Sequence, residues 1–165
     1  LKEDNPIIIA GRLIQEDLLI LHWDNNFQEH ILEGGILCFP ALWTLNEKIN
    51  KPLSRIHKPV EQYNEKITKS VQRMFNNLKV DKPIWRANWY LYKDPELFSP
   101  LSEKFSHTTE KKYFEGDFWL RVERQTLKRL PETNAIVFGI HTYVVNKKQL
   151  TLKQITSLKN YSLNK

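Results

Sequence analysis

The densest polar chemistry in the chain is the string Leu120-Arg121-Val122-Glu123-Arg124-Gln125-Thr126-Leu127-Lys128-Arg129-Leu130-Pro131. Leu120 and Val122 point one way while Arg121, Glu123 and Gln125 point the other, the period of two of a strand with one polar face. Such a face must meet water or line a polar cavity, because burying these groups without partners costs several kcal/mol each. Composition alone weighs the two evenly. A second constellation is Trp85-Arg86-Ala87-Asn88-Trp89, with Arg86 and Asn88 on one strand face and Trp85, Ala87 and Trp89 on the other. Aromatics in a sheet most often belong to the core. The third is Ser54-Arg55-Ile56-His57-Lys58-Pro59-Val60, a histidine between two cations at a helix-to-helix junction. A single histidine of this kind is more often structural or exposed than a ligand. No G-x-S-x-G, Gly-rich phosphate loop, G-x-G-x-x-G or H-E-x-x-H motif is present, which sets aside the common hydrolase, kinase and zincin signatures. The five histidines, His22, His30, His57, His107 and His141, lack zinc-like spacing and there is one cysteine, so a metal cluster held by protein alone is not expected. Nothing recognisable binds a flavin or a nicotinamide.

These groups must be positioned by one domain. The chain has 165 residues, 25 Lys+Arg against 19 Asp+Glu for a formal charge of +6, and 41% apolar residues; its mean hydropathy is −0.53. No repeat or low-complexity linker divides it, so residues 1–165 are read as a single domain. Cys38 has no partner for a disulfide. A lone thiol fits a reducing, intracellular compartment, with the cytoplasm as the expected location. The longest nearly apolar stretch, residues 36–45, contains a proline and is about half the ~20 residues of a membrane span, so no span is expected. The aromatic content of 12% argues against disorder. The chain opens on Leu1 with no secretory signal before its first apolar run, and an upstream part is expected to be missing.

Short Ile/Leu-rich runs at residues 6–14, 17–23 and 30–39 read as strands. Leu42, Leu45 and Ile49 fall at helical spacing, and Ile67, Val71, Met74, Phe75 and Leu78 give the apolar stripe of a helix within residues 61–78. Strand chemistry returns at residues 84–92, 118–130 and 135–145, the last two joined tightly through Pro131-Glu132-Thr133-Asn134 as an antiparallel hairpin near the sheet centre. Residues 94–116 are polar and read as a loop or lid. Strands, then helices, then three hairpin-linked strands make an α+β arrangement, an antiparallel sheet with helices gathered on one face.

Taken together, "CFPALWTLNEKINKPLSRIHKPV", "WRANW" and "RVERQTLKRLPETNAIVFGIHTY" resemble the heme-dependent oxidative N-demethylase family, over a stretch running from about Gln15 to Tyr143. Members have a PAS-like fold that binds heme and usually carry an additional N-terminal region that this chain lacks. His141 stands where the family commonly has an arginine, which bears on the polar pocket and substrate choice. The resemblance implies heme as cofactor and places the "IHKPV" motif at His57, whose segment Pro52 and Pro59 stiffen. It implies His57 as iron ligand, Arg55 and Lys58 meeting the heme propionates or favouring the neutral ring, and His141 as runner-up ligand or distal donor. His22, His30 and His107 are expected to be structural or exposed. On the opposite side of the heme, Arg86, Asn88, Arg124 or Gln125 would donate to bound O₂, and Glu123 would hold an alkylammonium or take its proton. The implied reaction uses O₂ and electrons from a flavin or iron-sulfur reductase partner, not bound by this chain, to oxidise the methyl carbon of a small secondary amine. The resulting carbinolamine falls apart into formaldehyde and the shorter amine.

Two other classes compete. One is a non-catalytic heme PAS module that senses a gas or redox state, for which the tail at residues 150–163 would supply a signalling helix. The other is nucleic-acid binding, permitted by a pI near 9.3. The basic residues alternate with acids rather than forming a stripe, so no nucleic acid is expected and the excess charge suits an acidic electron-transfer partner.

Overall fold

The computed structural model describes residues 5–59, 63–102 and 116–163, with side chains as far as Tyr161. Five strands, β1 (Asp17–Asp24), β2 (Glu29–Ile36), β3 (Ile84–Tyr92), β4 (Trp119–Arg129) and β5 (Ile136–Asn146), form one sheet in the order β2-β1-β5-β4-β3. Every pairing is antiparallel. Four helices accompany it: α1 (Pro6–Leu13), α2 (Leu53–Ile56), α3 (Glu65–Asn77) and α4 (Leu152–Leu163). The class is α+β, consistent with the PAS-like architecture that the resemblance implies.

Alternation decides which side chains meet the core. On one face Leu19, Leu21, Leu32, Leu127, Ile136 and Ile140 are buried against Leu53 of α2 and against Phe75 and Leu78 at the end of α3. Burying each of these side chains contributes roughly 1.5–3 kcal/mol. Asn64 caps α3 by accepting the Ile67 N–H at 3.1 Å, and the buried residues Gln72 and Phe75 set its inner side. The two terminal helices lie on the other face of the sheet, an addition to the expected layout. Gly11 of α1 approaches Ile36 so closely that a Cβ there would sit 2.6 Å from its Cδ1, and Ile36 pairs with outward-facing Leu18. Tyr161 of α4 meets Trp89 with ring centroids 5.8 Å apart.

Three local expectations change. Residues 6–14 were expected as a strand, yet they form α1. The Asn5 side chain accepts the Ile7 N–H at 3.1 Å and Pro6 occupies the first turn, a start signal that outweighs the isoleucine run. The strand expected over residues 30–39 ends at Ile36, because the Asp17 carboxylate draws away the N–H groups of Cys38 at 2.6 Å and Phe39 at 2.8 Å. The helical spacing of Leu42, Leu45 and Ile49 yields only a 3₁₀ turn at Leu45–Glu47. Leu42 is held at φ 60, and its N–H donates to the Ser99 carbonyl at 2.8 Å. The hairpin between β4 and β5 forms as expected, with Asn134 in the left-handed region at φ 57.

Candidate functional site

The core-facing side of the sheet changes character along a line that crosses the strands. Leu127 on β4 gives way to Gln125, Glu123 and Arg121; Ile140 on β5 gives way to Thr142; Leu19 on β1 gives way to Asp17. The ladder aligns these changes, since Gln125 pairs with Ile140 and Arg86, and Glu123 pairs with Thr142 and Asn88. The polar face of β4 is therefore not a solvated one. Arg121 is 1%, Glu123 7% and Gln125 8% exposed.

Buried polar groups must be paired, and these are. Arg86 Nε donates to Gln125 Oε1 at 2.9 Å, and Gln125 Nε2 donates to Glu123 Oε2 at 3.3 Å. The other carboxylate oxygen of Glu123 accepts from Arg121 Nε at 3.3 Å. Arg121 spends its remaining donors on the carbonyls of Phe39 at 2.5 Å and Leu97 at 3.2 Å and on Thr142 Oγ1 at 3.4 Å. Ser99 N–H donates to the Pro40 carbonyl at 3.0 Å, and Ser102 Oγ donates to Glu47 at 2.6 Å. The segment after β3 is thus strapped across the Arg121 end. It is the described part of the loop expected at residues 94–116; residues 103–115, with His107, lie outside the described residues. Burial pushes the hydroxyl pKa of Tyr90 up and that of Tyr92 up to about 12. Burial also raises the carboxyl pKa of Asp17, against the N–H bonds from Phe39 and Cys38 and the Arg121 charge.

His57 follows α2, whose Leu53 and Ile56 pack on the same core-facing side of the sheet. It caps α2, its own N–H donating back to the Leu53 carbonyl at 3.0 Å. Three contacts fix the helix: Pro52 bridges to Ile31, Ser54 N–H donates to Glu29 Oε2 at 2.9 Å, and Lys48 Nζ donates to the Ile56 carbonyl at 2.8 Å. The ring stacks on Tyr63 at 4.3 Å, and Nδ1 lies 2.9 Å from the Leu53 carbonyl. A carbonyl only accepts, so the proton of the neutral ring resides on Nδ1 and the lone pair on Nε2. Burial keeps the imidazole neutral below its ordinary range, assisted by the charges of Lys48 and Arg86. Among the residues flanking His57, Arg55 is half-buried and Lys58 exposed.

The structure brings together Arg86, Asn88, Glu123 and Gln125 on one face of the sheet, and the charge of Arg86 reaches the imidazole of His57. It does not bring Arg124 or His141 to them. Alternation turns both to the outer face, where Glu16 Oε1 lies 3.2 Å from Arg124 Nη2 and 3.6 Å from His141 Nδ1. His22 lies on that same face beside Glu33. His30 is buried between Trp23 and Phe75, its Nδ1 2.8 Å from Gln72 Oε1. Trp85, expected in the core, is 70% exposed. Asp17, Arg121, Tyr90 and Tyr92 were not singled out as site residues, although Tyr90 and Tyr92 continue the even-numbered face of Arg86 and Asn88.

A family model described as haem-dependent oxidative N-demethylase, alpha subunit-like, matches residues 1–159. The chain belongs to this family. The description names a haem-dependent oxidative system and the alpha-like subunit within it, so the polar row and His57 lie in a family whose chemistry is haem-dependent oxidation.

Proposed function

We propose that this chain holds heme between α2 and the polar half of the sheet and carries out oxidative N-demethylation of a small secondary amine. The observation that carries this reading is a His57 whose Nδ1 is held by the Leu53 carbonyl, leaving the lone pair on Nε2, on the same side of the sheet as the row Arg86–Gln125–Glu123–Arg121, exposed at Arg86 and buried from Gln125 to Arg121. The donor set fits the group. A neutral imidazole whose other nitrogen is held by a carbonyl is what an iron ligand requires, and Arg55 and Lys58 lie beside it for the propionates. Bound heme supplies the oxidising chemistry, with O₂ and two external electrons, that converts an N-methyl group to formaldehyde and releases the shorter amine.

The chain's own residues receive and orient the substrate. An amine arrives as a cation, and of the two carboxylates on this wall Asp17 is taken up by the N–H groups of Cys38 and Phe39, so Glu123 attracts the ammonium and takes its proton. Gln125 and Arg121 hold the two oxygens of Glu123 in place, and Arg86 fixes Gln125 in turn. Asn88, whose side-chain amide donates to Tyr90 Oη at 3.3 Å, and Arg86 would offer N–H donors on this wall to O₂ were heme held there. A flavin or iron-sulfur reductase is the partner this reading requires. Arg124 and His141 are left out of the pocket.

Titrating hemin into the chain while recording the absorption spectrum tests the reading. The intact chain should develop a histidine-type Soret band, and His57→Ala should abolish it or recover it only with added imidazole. An unchanged band in His57→Ala removes His57 as ligand. With reductant, O₂ and dimethylamine, the loaded chain should release formaldehyde, and Glu123→Gln should lose both this and the amine-induced spectral change while still binding O₂. Heme binding without any response to amines would leave the non-catalytic sensor in its place.

A further inference from the structure

The two edges of the sheet are finished differently. On β2 the edge is closed: Leu32 N–H donates to the Lys51 carbonyl at 3.1 Å, Asn50 N–H donates to the Leu32 carbonyl at 2.7 Å, and Ile31 bridges Pro52. A register shift at Ile20/Leu21 and two glycines disturb that ladder further. Such devices are how proteins prevent sheets from pairing edge to edge. On β3 none is present. Its nine residues, Ile84-Trp85-Arg86-Ala87-Asn88-Trp89-Tyr90-Leu91-Tyr92, pair with β4 in unbroken register, contain no proline and only one charge, and make no outward backbone bond among the described residues. Ile84 to Ala87 are exposed on both faces, Trp85 to 70%.

We propose that β3 is an interface at which a second copy of this chain adds its own β3, antiparallel, about a two-fold axis through Asn88. A two-fold perpendicular to the sheet keeps each face continuous only when paired residues share parity, and centring on Asn88 uses all nine residues. The strand is complementary to itself in that register. Ile84 then faces the partner's Tyr92, Trp85 the partner's Leu91, Ala87 the partner's Trp89, and Arg86 the partner's Tyr90. The first three are apolar pairs of the kind that stabilises adjacent strands. Asn88 meets its own copy, amide to amide. Just beyond the strand, Lys82 lies opposite the partner's Asp94, so each end closes with opposite charges and no like charges face one another. The result is one ten-stranded sheet with the two Arg86 side chains near its centre.

Sedimentation velocity on the full chain over a concentration series tests this at low salt. The intact chain should show a reversible dimer. Trp85→Lys, which replaces an exposed side chain, should shift it to monomer. Asp94→Lys, which sets like charges opposite at both ends, should raise the dimer dissociation constant roughly tenfold, and adding Lys82→Asp to the same chain should restore it. Asp94 and Lys82 are exposed and outside the strand, so this pair of variants decides the matter even if Trp85→Lys fails to fold by circular dichroism. A monomer at every concentration overturns the proposal, as does a dimer indifferent to Asp94→Lys or one that Lys82→Asp does not rescue.

Discussion

One face of one sheet carries two kinds of interior. At the α3 end, Leu19, Leu21, Leu32, Leu127 and Ile136 pack against Phe75 and Leu78; at the other, Asp17, Arg121, Glu123, Gln125 and Thr142 are buried as fully. The apolar half gains free energy with each side chain removed from water. The polar half gains little, since the cost of desolvating its charges is offset only by complete hydrogen bonding. The neighbouring apolar half supplies the stability that makes such a row tolerable.

The strongest way to break that comparison is to unpair the polar half. Arg121→Met strands Glu123 and leaves the Phe39 and Leu97 carbonyls without their donor, so urea denaturation should show a loss of about 3–5 kcal/mol. Adding Glu123→Leu should recover much of it, because a well-packed apolar pair often replaces a buried ion pair without loss. A single variant as stable as the parent would mean that the row is not held by Arg121. In the apolar half the same logic gives a smaller effect of a different origin. Ile136→Ala leaves a cavity at a site with 0% exposure and should cost about 2–4 kcal/mol, with no apolar second substitution on β4 able to restore it as simply.

Much of this division was legible in the sequence, and the rest was not, for definite reasons. Alternation in residues 118–130 separated Arg121, Glu123 and Gln125 from Leu120 and Val122, and the register confirms it. Alternation cannot say whether a polar face meets water; that depends on Thr142, Asp17 and the strap at Leu97, all distant in sequence. The same alternation already turned Arg124 away from Glu123, and grouping the two by proximity in sequence obscured it. Trp85 shows the opposite failure, since its size suggested the core while its place on an edge strand leaves it exposed. At α1 the Asn5-Pro6 start signal is present in the sequence, and reading Ile7, Ile8 and Ile9 as a strand passed it over.

Acid sharpens the comparison between the two buried histidines and the carboxylate. Burial lowers the pKa of His30 and of His57 from the ordinary 6.5. Each therefore binds fewer protons folded than unfolded, and its contribution is complete above that value and lost as pH falls toward the depressed one. Asp17 acts in the opposite sense and lower down: its raised pKa favours the folded state as pH falls toward 3.8. Stability measured in urea should therefore fall as the pH drops below 6.5, and His30→Leu should flatten that slope. A slope identical to the parent's would assign the acid sensitivity elsewhere.

The smallest effect is expected on the outer face, at Arg124. Its pairing with Glu16 spans 3.2 Å, but the guanidinium side chain is 46% exposed, so water screens the attraction and Arg124→Ala should cost only about 0.2–1 kcal/mol. Glu16 is less free to relax than an ordinary surface carboxylate, because it lies against Gly139, where a Cβ would come within 2.7 Å of Oε2. It also retains His141 Nδ1 at 3.6 Å. Gly139→Ala should thus disturb this cluster more than deleting the arginine does, by displacing the carboxylate from both partners. Neither change touches the core-facing row, since β4 and β5 turn Arg124 and Gly139 outward. In the heme-loaded chain both should leave the Soret band and the amine response as in the parent. An amine response that vanishes in Arg124→Ala would show that the two faces of the sheet are coupled, and would return Arg124 to the site from which its register removes it.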